Sequence, residues 1–314
     1  MSRNEIGFAG RELRAKHKGN LPVLRISCPV STCKRTPKLF VIMSSISFTS
    51  KVTITHIGTA TAILDIDGVR FLTDPAFDSA GSEYPFPIPG HPDFKLLNKN
   101  GPAIPVEELP HIDAVLLSHE DHPDNLDTKG RLMLEGRKVF TTEDGAQKLQ
   151  PRPDVRGMKP WESVAATIGG KEFKITATPC QHVPGGECTG FIIESSSFGK
   201  HKESGLPNAI FFSGDTVYFP ELDKINDKWH VTLAIINCGS VIVPLPTGGL
   251  LATMDGAQAV QLVNSIQPDV VVPMHYEGWA HFAQSRAQLA EAFESAGMNS
   301  RVRWLDMGKA VQVI

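Results

Sequence analysis

Long apolar runs are missing from this 314-residue chain. No stretch approaches the about 20 consecutive apolar residues that a membrane-spanning helix needs, so no transmembrane segment is expected. Cysteine is sparse and odd in number: five residues stand at irregular spacing, Cys28, Cys33, Cys180, Cys188 and Cys238. That argues against a disulfide framework and for reduced thiols in an intracellular protein. A charge excess is missing too, since 31 Lys+Arg face 34 Asp+Glu for a net charge of −3. Nucleic acid is therefore not an expected partner. No repeat at a solenoid or propeller period is visible, which sets aside those architectures. What is present, 41% hydrophobic and 21% charged residues, is the composition of a folded globular chain.

The charge is unevenly placed. Residues 1–42 hold nine basic and two acidic side chains, a net of +7, so residues 43–314 carry −10. The first segment shows no sustained strand or helix period and contains loop-forming stretches such as Gly19-Asn20-Leu21-Pro22. It is expected to be a disordered basic extension of a cytoplasmic protein. Organelle targeting is the alternative, because such targeting peptides are Arg-rich and acid-poor. Met43 stands just before the ordered pattern, as an alternative start would. Residues 43–314 are expected to form one domain.

From residue 51 alternation sets in. Lys51–Ile57, Ala60–Asp65 and Val69–Thr73 read as strands, the last two joined by an Asp67-Gly68 turn. Further strands are expected at 114–118, 138–142, 171–177, 189–194, 209–213, 231–237, 270–273, 301–305 and 310–314. Helical periodicity is clearest over 254–266, where Thr253 or Asp255 would cap, and over 285–296. Early strands lie close together and later ones are separated by helices. The pattern predicts an α/β fold: a four-layer αββα sandwich of two mixed β-sheets flanked by helices. The Pro- and Gly-rich stretch 82–100 reads as a long loop, either a lid or plain structure.

Chemistry-bearing residues gather where strands end. The apolar run 114–117 leads into Ser118-His119-Glu120-Asp121-His122-Pro123-Asp124-Asn125-Leu126-Asp127. Imidazole nitrogen with carboxylate oxygen suits zinc, and also iron or manganese. A solvated polar loop would carry the same residue types. Three later strands end in Pro179-Cys180-Gln181-His182, Ser213-Gly214-Asp215 and Pro273-Met274-His275. Each puts one His or Asp beside Gly or Pro. A single such residue is more often a turn or a cap. Four in one chain need a common cause, and metal coordination supplies one. Cys180 and Cys188 flank His182 without a zinc-site spacing and read as buried thiols. His56 reads as a strand residue, while His91, His111, His201 and His230 lie outside all four motifs.

In order and context these motifs resemble the metallo-β-lactamase fold superfamily. The likeness is greatest to its branch of ascorbate-6-phosphate lactonase-like and N-acylphosphatidylethanolamine phospholipase D-like proteins. Ile57-Gly58-Thr59-Ala60-Thr61 and Leu72-Thr73-Asp74-Pro75 match that branch's opening strand pair and turn. The likeness covers about residues 51–314 and is more specific for the fold than for the substrate. The superfamily's His-x-His-x-Asp-His motif is one residue longer here. Aligned from the right, His122-Pro123-Asp124-Asn125 keeps both His and the Asp, with Asn in place of the last His. Aligned from the left, Asp121 replaces the second His.

In the right-hand register the resemblance implies a first metal on His119, His122 and His182. It implies a second on Asp124, Asp215 and His275, with Asp215 bridging and Asn125 leaving that site weaker or empty. The expected cofactor is zinc, one or two ions, with manganese or iron as alternatives. The expected reaction is hydrolysis of a small-molecule lactone, lactam or related ester by a zinc-bound hydroxide. Asp124 would orient the nucleophile and shuttle a proton. Tyr276 or His281 would donate to the oxyanion, and Trp279 and Phe282 would line the substrate or pack in the core. Asp74 would brace a ligand. The alternatives are a phosphodiesterase, weakened by the lack of a basic strip, or a non-catalytic binding protein on the same fold. Gly-x-Ser-x-Gly motifs are absent around the site, which favours direct attack by water.

Overall fold

The computed structural model describes residues 47–184 and 186–314. The expected basic extension, its boundary at Met43, and Cys28 and Cys33 therefore lie outside the described residues. The strands are β1 (Val52–Gly58), β2 (Thr61–Ile66), β3 (Val69–Thr73), β4 (Glu83–Pro85), β5 (Lys95–Leu97), β6 (Ala114–Leu116), β7 (Lys138–Thr142) and β8 (Val155–Met158). After them come β9 (Ser163–Ile168), β10 (Lys171–Pro179), β11 (Thr189–Glu194), β12 (Asn208–Phe212), β13 (His230–Asn237), β14 (Ile242–Leu245), β15 (Gly248–Leu251), β16 (Val270–Met274) and β17 (Ala310–Gln312). The α-helices are α1 (Glu143–Lys148), α2 (Lys224–Lys228), α3 (Gly256–Ile266) and α4 (Arg286–Ser295).

Two mixed sheets form the body. One has seven strands in the order β17-β1-β2-β3-β6-β7-β8, the other six in the order β16-β13-β12-β11-β10-β9. Each sheet has an antiparallel part and a parallel part. β3, β6, β7 and β8 run parallel in the first, and β12, β13 and β16 in the second. Two small hairpins, β4–β5 and β14–β15, stand apart from both sheets.

Period-two alternation explains why the sheets stack. Ile210 and Phe212 of β12, Leu233 and Ile235 of β13, and Val270 and Val272 of β16 enter the same buried cluster as Ile54, Leu64 and Phe71 from the other sheet. Their neighbours Phe211, Ala234, Ile236 and Val271 face outward, where they pack against Leu262 and Val263 of α3 and Leu289 and Phe293 of α4. On the far face of the first sheet, Ile63, Leu72 and Val115 meet Met133, Leu134 and Leu149. The result is helix–sheet–sheet–helix, although short helical turns make up much of that last layer. Buried aliphatic side chains of this kind contribute about 1.5–3 kcal/mol each, which makes the central layer the main source of stability.

The helix ends follow their caps. Asp255 accepts from the Gln258 N–H at 2.8 Å to start α3, and Ser285 with Gln288 forms a capping box at the start of α4. Two expectations need correction. Residues 301–305 do not form a strand, because only Val302 bridges to Val271 before the chain turns away. The stretch 82–100 is not all loop, since its ends pair as β4–β5, with Tyr84 opposite Leu96.

Candidate metal centre

The candidate ligands lie in segments that follow strand ends. His119, His122 and Asp124 follow β6, His182 follows β10, Asp215 follows β12 and His275 follows β16. Side chains just past the carboxyl ends of strands gather at one edge of an α/β fold, the usual place for a ligand. Gly214 makes one of these exits feasible. Its φ is +58°, and a Cβ there would lie 2.4 Å from the Thr189 carbonyl oxygen. His275 holds a left-handed backbone as well, with φ 62°, and so does Asp74, with φ 32°. Strain of this kind in non-glycine residues concentrates at functional positions.

Two triads result. Ligand atoms of His119, His122 and His182 lie within 4.8 Å of one another, and so do those of Asp124, Asp215 and His275. In the first triad His119 Nε2 is 2.9 Å, and His182 Nε2 3.1 Å, from His122 Nδ1. In the second, His275 Nε2 is 3.2 Å from Asp215 Oδ2 and 3.4 Å from Asp124 Oδ2. Ligands about 2.0–2.1 Å from one transition-metal ion stand at separations of this order.

The outer nitrogens of the rings are tied down. His182 Nδ1 donates to the Ala252 carbonyl at 2.7 Å, and His275 Nδ1 donates to the Cys238 carbonyl at 3.2 Å. The Ser118 hydroxyl donates to Asp74 at 2.8 Å, so it accepts from His119 Nδ1, also at 2.8 Å. These bonds fix the ring orientations and leave each Nε2 turned inward. His275 Nε2 is buried and faces the Asp215 and Asp124 carboxylates at 3.2 and 3.4 Å, an arrangement of nitrogen and oxygen donors that a cation would satisfy. The donor set, imidazoles in one triad and carboxylates with imidazole in the other, fits a transition-metal ion.

Electrostatics divide the two triads. Burial, with the neighbouring imidazoles of His122 and His182, holds His119 well below its ordinary pKa. Burial and His122 lower His182 as well. Burial would raise Asp124, but hydrogen bonds from His275 and His281 prevail and keep it anionic. Burial also opposes ionisation of Asp215, and the imidazoles of His275, His119 and His182 outweigh it. Burial pulls His275 down, yet Asp215 and Asp124 raise it to about 9. Asp74 is pushed up to about 8 by burial and by the Asp215 charge.

The other expected residues are distributed as follows. His122 joins the first triad, whereas Asp121 is exposed and belongs to neither. Asn125 is fully buried and donates to Asp74 at 3.1 Å, so the second triad assembles without it. His281 is drawn in: its Nε2 lies 3.2 Å from Asp124 Oδ2. Tyr276 is not. It packs in the outer cluster with its ring 5.8 Å from that of Trp304, in a separate cavity with His56 and Arg286. Trp279 is core, with Nε1 donating to Thr59 Oγ1 at 3.1 Å, and Phe282 packs on the His275 ring at 4.6 Å. Cys180 and Cys188 are half-buried rather than buried, because they sit at the rim where the strands end.

Sequence reasoning missed the supports. Asn237 donates to Asp215 Oδ1 at 2.7 Å from the end of β13, and Ser118 links His119 to Asp74. A polar residue closing an apolar strand, as Asn237 does, was the available signal.

Comparison with known proteins agrees with this geometry. A metal-dependent hydrolase of the UPF0173 group from Nanoarchaeum equitans is 24% identical over 228 residues, covering 68% of this chain and 93% of its own. The crystal structure of isothiocyanate hydrolase from Delia radicum gut bacteria superposes with a TM-score of 0.66 at 20% identity, covering 82% of this chain and 98% of its own. The metallo hydrolase Igni18 from Ignicoccus hospitalis gives a TM-score of 0.63 at 23% identity, covering 84% and 99%. The beta-lactamase superfamily domain matches residues 69–276, which include all six triad residues. With well over half its length inside that match, the chain belongs to the beta-lactamase superfamily domain family.

Proposed function

We propose that this protein is a zinc-dependent hydrolase that opens a small lactone, lactam or related ester. The coarse class, metal-dependent hydrolase, is the one carried by the curated relatives. The observation that carries the reading is the convergence of two adjacent ligand triads, His119–His122–His182 and Asp124–Asp215–His275. Ions bound there supply Lewis acidity and bring the pKa of water close to neutrality.

The chain's own groups do the rest. His119, His122 and His182 give neutral nitrogen donors, while Asp124 and Asp215 offset the cationic charge. Asn237 fixes Asp215 so that Oδ2 points to His275. Asp124 Oδ2 orients the attacking water and takes up its proton. His281 Nε2, 3.2 Å from that oxygen, gives up its bond to Asp124 as the carboxylate takes the proton and donates instead to the oxyanion that develops on the substrate. The water oxygen bonds to the acyl carbon, the ring C–O or C–N bond breaks, and the proton passes to the leaving group. Tyr276 has no part, because it faces another cavity.

The resemblance to lactonase-like proteins supports a cyclic acyl substrate. The non-catalytic alternative loses its motive, since Asn125 is not needed to complete the second triad. Free thiols at Cys180, Cys188 and Cys238 support a reducing, cytoplasmic setting. The test is a panel of lactones, lactams, esters, a phosphodiester and an isothiocyanate on zinc-loaded protein, run in ¹⁸O-labelled water. Single-turnover label in the acid product, with no acyl-enzyme, is expected for a lactone or lactam. Turnover of the phosphodiester alone would leave the metal chemistry standing and overturn the substrate class.

A further inference from the structure

The walls above the triads differ in character from the floor. His122, Asp124, His182, Asp215 and His281 form the floor of a cleft, and among the described residues no Lys or Arg lines it. Its walls come from the two small hairpins. The β4–β5 hairpin and its connection supply Phe86, Phe94 and Leu96, and β14 with the residue before it supplies Ile242, Val243 and Val241. The hairpins are joined by an apolar cluster of their own, separate from the three that hold the sheets, with Ile88, Val241 and Val243 buried in it. They also meet near their tips, where a Cβ on Gly90 would lie 2.9 Å from Pro246 Cγ.

Nearby basic side chains are committed elsewhere. Lys95 pairs with Glu83 at 2.9 Å, and Arg131 and Lys148 pair with Glu120 at 3.0 and 3.3 Å. The cleft therefore offers burial to whatever is attached to the reacting group and, from the described residues, no cation beyond the metal centre. A charged substituent would lose its hydration there without gaining a partner. An apolar one would gain about 0.8 kcal/mol per buried methylene, close to a fourfold effect.

We infer that the two hairpins form a specificity pocket for an uncharged substrate bearing an apolar alkyl or aryl substituent, with Phe86, Phe94 and Val243 determining the preference. This rests on the hydrolase reading above and narrows its substrate class. Carboxylated lactones, whose charge would lie against the walls, are disfavoured.

Two series on the zinc-loaded full chain test it. One is kcat/KM for γ-lactones from γ-valerolactone to γ-decalactone, with a carboxylated γ-lactone as the charged control. The other is calorimetric affinity for n-alkyl hydroxamic acids of two to eight carbons, which needs no turnover. Both are expected to rise roughly 2–4-fold per methylene over the first one or two carbons and then level off, since the cleft encloses about 30 Å³. The carboxylated lactone is expected to fall at least about tenfold below its neutral match, as burial of an unpaired charge requires. Phe94→Ala and Val243→Asp should flatten both slopes, while Phe94→Leu should keep them. If hydroxamate affinity rises with length while no lactone is turned over, the reaction assignment fails and the pocket stands. Affinities flat with length, absence of hydroxamate binding, or preference for the carboxylated lactone would overturn the inference.

Discussion

His275 shows how much of the centre is decided by single groups. Its Nδ1 is spent on the Cys238 carbonyl, so Nε2 alone can serve the second triad. Without a metal the two aspartates hold a proton on this ring, with a pKa near 9 against an ordinary value of 6.5. A cation must expel that proton to bind. Below the raised pKa the proton competes with metal, so uptake at the second site should strengthen with pH. The gain should approach tenfold per unit through the neutral range and level off near 9. Metal titrations at several pH values, with proton release followed by an indicator dye, measure this directly. A pH-independent affinity would contradict it. The motif register has its own test at this scale. His122→Ala should empty the first site, whereas Asp121→Ala, on the exposed side of the loop, should change metal affinity little. Equilibrium dialysis with zinc ranks the two variants, and the reverse ranking would move the ligand to Asp121.

At the scale of elements, the centre depends on how strands end. Gly214 lets the chain leave β12 in a left-handed turn and deliver Asp215 against β11. Gly214→Ala would press a methyl group into the Thr189 carbonyl at 2.4 Å. Strain at such positions costs about 1–3 kcal/mol, so urea unfolding should shift by that amount. Asp215-dependent metal content should fall with it, and a variant of unchanged stability would count against the argument.

The same scale explains what the sequence made legible. β1 alternates, β2 and β3 flank an Asp-Gly turn, and buried runs such as Ala209–Phe212 lead into Gly or Pro. Those strands, and the ligands just beyond them, could be read. β8 and β9 could not, because Val155-Arg156-Gly157-Met158 is short and broken by glycine, and β9 is a largely exposed edge. The hairpins were hidden in Pro- and Gly-rich sequence, where only long-range pairing selects the strand. Arg301–Leu305 alternated like a strand but found one bridging partner. Tyr276 adjoins His275 in sequence but lines a separate cavity.

At the scale of the molecule, two stacked sheets put six side chains from four separate stretches of chain at one edge. All of them lie beyond residue 118, so the chemistry should not require the basic segment 1–42. A chain beginning at Met43 is expected to keep the thermal transition and metal content of the full chain. Calorimetry and metal analysis of both chains decide this, and loss of folding on truncation would show that the segment packs on the domain. The central claim is that bound metal on the two triads performs the hydrolysis. Elemental analysis of protein purified without chelator, paired with its hydrolytic rate, tests this most directly. One to two equivalents of a transition metal per chain are expected, from the two triads, with His182→Ala losing the first ion and Asp215→Ala impairing both. Activity should fall and return as metal is removed and restored. A folded protein that hydrolyses its substrate with no bound transition metal would contradict the account.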